Sequence, residues 1–150
     1  MRSELRWPIL GRFRSYVEGL PDGVTEADVG SDGEDFLFPP EPGRPETANT
    51  LRFRGSVRFS GHGGLLRVDI SRPAVFVSNG DGALTIEDPW EVGSGARMLF
   101  AEGAATNEML GRSRIITLRD LRLTDEACDL FNGAYSPGAP VGRAIATMGA

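Results

Sequence analysis

The chain has 150 residues, 40% of them hydrophobic and 25% charged, which is enough to bury a core without disulfide or metal staples. Its net charge of −5 excludes a general nucleic-acid binder, which needs a basic surface, and no apolar run approaches the length that crosses a bilayer as a helix. The single cysteine, Cys128, excludes an internal disulfide and a thiolate zinc site.

All sixteen basic residues are arginine, a bias that reads as genome composition rather than function. The N-terminal "MRSELRWPILGRF" carries charge but no long apolar core and no small-residue cleavage site, so it is not read as a secretory signal. As written, the protein is expected in the cytoplasm. If a leader has been removed, the cell envelope or the exterior is expected instead.

The first expected element is a helix from about Pro8 to Glu18. Ile9, Leu10, Phe13, Val17 and Leu20 fall on one helical stripe, Pro8 suits a first position and Gly19 a stop. Residues 21–49 are rich in Gly, Pro, Asp and Glu and read mainly as loop, with a short strand at Phe36 to Phe38. The acidic cluster Asp32, Glu34 and Asp35 lacks calcium-loop spacing and reads as a solvated loop.

From Leu51 the period becomes two. Leu51, Phe53, Val57 and Phe59 alternate with Arg52, Arg54, Ser56 and Arg58, and Leu66, Val68 and Ile70 repeat the pattern. "AVFVS" and "ALTIED" follow, joined by the hairpin signal "NGDG". "RMLFAE" and "RIITLRDLRL" are further strands, "DLFNGAYSPG" reads as a late hairpin, and "GRAIATM" closes the chain. The expected fold is mostly β, a β-rich α+β class. It is one antiparallel sandwich-like domain over residues 1–150, with a short N-terminal helix.

Phosphate-loop, dinucleotide, zinc-protease and nucleophile-elbow motifs are absent, and one histidine cannot build a multi-histidine metal site. Two residues invite chemistry. Tyr16 stands on the helix, and His62, the only histidine, stands among Gly61, Gly63 and Gly64 in "FSGHGG". On residue type alone, Tyr16 reads as a half-buried core tyrosine and His62 as an exposed turn residue.

Four blocks in order alter that reading: "RFRSYV", "FLFP", "GSVRFSGHGGLLRVDISRPAV" and "FNGAYSPG". From about Leu5 to Met148 the chain resembles the HtaA-type haem-binding domains of actinobacteria. The resemblance implies a β-rich domain that carries ferric haem in iron acquisition. It implies Tyr16 as the axial ligand and the metal-binding residue, with His62 supporting it by a hydrogen bond. Gly61 and Gly63 would let the flat macrocycle approach the backbone. Arg12, one turn before Tyr16, could pair with a propionate, and Phe13 could touch the porphyrin or the core. The family often has a small hydroxyl residue where Arg12 stands. The expected cofactor is ferric protoporphyrin IX. The expected partners are a haem donor or acceptor protein, with a homodimer left open, and neither nucleic acid nor membrane insertion. The competing readings are a haem-dependent enzyme of peroxide or haem-breakdown chemistry and a degenerate domain acting as an interaction module.

Overall fold

The computed structural model describes residues 2–43 and 49–149; residues 44–48 of the expected loop lie outside them. Strand β1 (Glu4–Trp7) is followed by helix α1 (Phe13–Glu18), β2 (Val24–Ala27), β3 (Gly30–Asp32), β4 (Asp35–Phe38) and β5 (Thr50–Arg52). Then come β6 (Ser56–Gly61), a 3-10 turn (His62–Gly64), β7 (Leu66–Ser71), β8 (Ala74–Ser78) and β9 (Asp81–Glu87). The long strands β10 (Arg97–Leu110) and β11 (Ser113–Leu123), helix α2 (Asp125–Cys128) and β12 (Pro140–Met148) complete the order.

The strands form two antiparallel sheets, as the alternation predicts. The larger runs β3-β4-β1-β12-β11-β10-β9-β8-β5 and the smaller β2-β6-β7. Alternation fixes which face of each strand goes inward. From the large sheet Leu5, Trp7, Phe38, Phe100, Leu118 and Ala146 are buried, and from the small sheet Val57, Phe59, Val68 and Ile70. All belong to one hydrophobic cluster, so the small sheet closes over the large one with a shared core. Among the described residues no helix is long and apolar enough to cross a membrane.

Helix α1 has six residues, too few to be helical in isolation. Packing holds it. Phe13 and Val17 are buried one turn apart, and the Phe13 ring meets Phe59 and Phe131 edge-on, with centroids 5.0 and 5.1 Å away. A fully buried phenylalanine contributes ~1.5–3 kcal/mol, so these contacts outweigh the cost of nucleating a short helix.

The structure corrects several boundaries. The helix begins at Phe13, not Pro8, because β1 reaches Trp7 and the chain then turns through Ile9 (φ 73°) and Gly11 (φ 32°). Ile9 and Leu10 are buried in that turn, which mimics a helical stripe in the sequence. The expected strand over Leu51 to Phe59 splits at Gly55 (φ 108°), where the chain leaves the large sheet for the small one. "DLFNGAYSPG" is no hairpin. Thr124 caps α2 by accepting from the Ala127 N–H, and the chain continues through a 3-10 turn to Asn132 (φ 50°). Strands β1, β2 and β3 were not expected. The latter two are short and largely exposed and form through backbone pairing with β6 and β4.

The "NGDG" turn behaves as read, with Asn79 (φ 51°) and Gly80 (φ 86°) both left-handed between β8 and β9. Asp32 and Asp35 both pair with Arg6, so two of the three acidic residues of the cluster are ion-paired. Trp7 is core, whereas Trp90 is exposed.

A side chain at position 55 would suffer twice. Its φ favours glycine, and its Cβ would lie 2.2 Å from Val29 Cγ1. Gly55→Ala should therefore cost about 1–3 kcal/mol, read as a lowered midpoint in thermal unfolding; an unchanged midpoint would contradict this account of the sheet-to-sheet crossing.

Candidate functional site

Burial of Phe13 and Val17 leaves Tyr16 on the outward side of α1, with half its surface exposed. The Tyr16 ring rests on Phe13, 6.2 Å away and 28° from parallel, so the core beneath it limits its movement. At the end of β6 the chain enters the turn His62–Gly64, which brings the imidazole to the phenol. Tyr16 Oη lies 2.8 Å from His62 Nε2 across 46 residues of sequence.

The turn itself is unusual. His62 (φ 51°) and Gly63 (φ 64°) are successive left-handed residues, so their N–H groups point to one side. Asp22 receives both: the His62 N–H donates to Oδ1 at 3.1 Å and the Gly63 N–H to Oδ2 at 2.7 Å. These bonds, the Gly63 N–H foremost, hold the Asp22 carboxyl below the usual aspartate value despite partial desolvation. Asp22 follows the helix that carries Tyr16, so one carboxylate joins the two halves of the site.

The other expected site residues are placed as follows. Arg12 is exposed at the N-cap of α1, and among the described residues its side chain has no ion pair or hydrogen bond. Phe13 is core rather than surface and backs the Tyr16 ring. Gly61 faces inward: a Cβ there would come 2.8 Å from Leu20 Cδ1. Its role is close approach between β6 and the loop after α1. Over Gly63 and Gly64 a Cβ would meet nothing within 4 Å, so that side of the turn is open. Leu65, next in the chain, is 78% exposed.

Two residues near the pair escaped the sequence reading in these roles. Asp22 stands in "LPDG", where nothing local announces a partner 40 residues away. Tyr135 was read as a packing residue, and it does pack, edge-on to Phe13 at 6.0 Å and to Phe131 at 5.3 Å. Burial raises its phenol above the ordinary value, with a smaller contribution from Tyr16, and both phenol rings stand against Phe13. The block "FNGAYSPG" held that signal only as part of a family pattern. Among the described residues no group of three or more His, Cys, Asp or Glu could hold a bare metal ion.

The sequence pattern that defines the HtaA family matches residues 2–144. The chain belongs to the HtaA family. Its fold is similar to the C-terminal domain of HtaA from Corynebacterium glutamicum, with a TM-score of 0.79 at 21% identity over 98% of this chain and 96% of that one. The N-terminal domain of the same HtaA gives 0.69 at 19% identity, covering 97% and 98%. The haem-binding protein HtaB of that organism gives 0.66 at 15% identity, covering 97% and 92%. Among curated proteins none is significantly similar in sequence. The HtaA resemblance and the β-rich fold expected from the sequence are thus both borne out.

A carboxyl whose folded value is depressed keeps its bonds as pH falls, until that lower value is crossed. The amide chemical shifts of His62 and Gly63, followed by NMR during acidification, should stay native through pH 3.8, the ordinary aspartate value, and move only below it. A transition centred above that value would contradict the two-bond clamp.

Proposed function

We propose that the chain is one domain that binds ferric haem as cargo, through the Tyr16 oxygen supported by His62, for haem transport, transfer or sequestration. The observation that carries the reading is the 2.8 Å contact between a half-exposed phenol and the chain's only imidazole. Membership of the HtaA family and likeness in fold to the haem-binding protein HtaB support it.

The donor set fits the cargo. Ferric iron is a hard cation, and tyrosine is an established proximal ligand of haem iron. A free phenol has a pKa of roughly 10. A hydrogen bond donated by Nε2–H favours the phenolate, as does coordination. An anionic oxygen favours ferric over ferrous iron, so reduction loosens the grip, which suits a carrier. The open side of Gly63 and Gly64 leaves room for a flat ring, and exposed Leu65 offers it apolar surface. Arg12 is free to meet a propionate. Catalysis would need acid–base help, and the one histidine is already engaged with Tyr16. Binding is therefore the favoured role.

Hemin titration read by absorbance tests this. The parent should bind with a ferric phenolate spectrum, and Tyr16→Ala should abolish tight binding. His62→Ala should weaken it by about ten- to hundredfold, the worth of one hydrogen bond to a charged group. Because the two residues act as one unit, their losses should not add. In Tyr16→Ala the imidazole is free to take iron itself, which would appear as a different spectrum that vanishes in the double variant. A Tyr16→Ala protein that binds hemin like its parent, with the parental spectrum, would sink the ligand assignment.

A further inference from the structure

We infer that Asp22 is a positioning residue for the haem site: its carboxylate fixes the His62–Gly64 turn against α1, so that His62 serves the phenol instead of competing with it for iron. This rests on the haem reading above. The β6–β7 pairing, with Gly61 opposite Leu66, holds the two ends of the turn, and among the described residues the backbone bond within it runs from the Leu65 N–H to the His62 carbonyl. Over Gly63 and Gly64 there is no packing to hold a side chain. A non-glycine residue such as His62 keeps a left-handed backbone only where its surroundings impose it. Here they do so through two N–H groups converging on one anion.

The arm from Tyr16 to Asp22 is rigid, so the carboxylate sets distance as well as conformation. The Gly19 N–H donates to the Ser15 carbonyl, Leu20 to Val17 and Gly23 to Leu20. At Gly23 a Cβ would lie 1.6 Å from the Val17 carbonyl oxygen, so the loop is folded hard onto the end of α1. Leu20 in turn lies against Gly61, the residue before His62. Tyr16 and His62 therefore hang on two short, stiff pieces of chain, and Asp22 links them a second time, through the backbone, beside the bond between the two side chains. If that link is cut, the turn is held only at its ends, where β6 meets β7, its left-handed backbone at His62 is no longer imposed, and the imidazole becomes a second candidate ligand for ferric iron, since histidine also ligates haem.

The experiment compares the parent, Asp22→Asn, His62→Ala and the double variant. Asn keeps the size but presents an NH₂ group to one of the two backbone donors. In the haem-free protein, hydrogen exchange at the His62 and Gly63 amides should quicken at least tenfold in Asp22→Asn, while β10 to β12 stay protected. With hemin, Asp22→Asn should bind about tenfold more weakly, as supporting partners of metal ligands commonly do. Part of its spectrum should shift from the phenolate form to an imidazole-ligated one. The double variant should lose that shift and bind like His62→Ala alone. Parent-like exchange in Asp22→Asn overturns the clamp. An affinity loss of the same size with His62 already removed, and no spectral shift, reduces Asp22 to general structural support and also overturns the proposal. Absence of hemin uptake by the parent is a separate result: it overturns the haem reading, and the exchange measurement still decides whether the clamp exists.

Discussion

The contact between Tyr16 Oη and His62 Nε2 is the constraint on which the rest of the site depends. Neither partner could hold it alone. The helix that carries the phenol is too short to persist in water and survives because Phe13 and Val17 are sunk into the core. The turn that carries the imidazole has a backbone that glycine prefers, and it persists because Asp22 gathers two of its N–H groups. Apolar burial thus fixes one half of the pair and a charge-assisted hydrogen-bond pair fixes the other. Such a site is set before any ligand arrives, and little ordering cost remains to be met on binding.

Electrostatics around the small sheet are local and balanced. Arg58 and Asp69 face each other across β6 and β7, with Glu26 in register on β2, and Arg67 shares Asp69. Arg58, the arginine of β6, is therefore ion-paired on an outward strand face. Arg12 differs: among the described residues it has no such partner, and it stands one helical turn from Tyr16.

The parts of this architecture visible in the sequence are those in which one face is buried and the other wet. Leu66, Val68 and Ile70 alternate with polar neighbours because β7 has a core side and a solvent side, and the period follows. Where that asymmetry fails, so does the reading. Strands β2 and β3 bury little and look like loop. Ile9 and Leu10 bury fully but in a turn, and look like helix. The pairing of Tyr16 with His62 was legible only through the family's blocks, since neither residue carries a local signal of the other. Asp22 was not legible at all, because its partners lie in a turn formed 40 residues later.

The middle of the large sheet has a consequence for how the chain reaches this state. Strand β1 lies between β4 and β12, with Leu5 opposite Ala146, so the earliest strand is zipped to the last. During synthesis β1 and β4 can pair while the seam beside β1 still waits for β12. Closing that seam means closing a loop of nearly the whole chain, an entropic cost paid before the contact returns anything. Folding should therefore be slow and late-committing, with the inner edge of β1 open to stray strands until β12 docks.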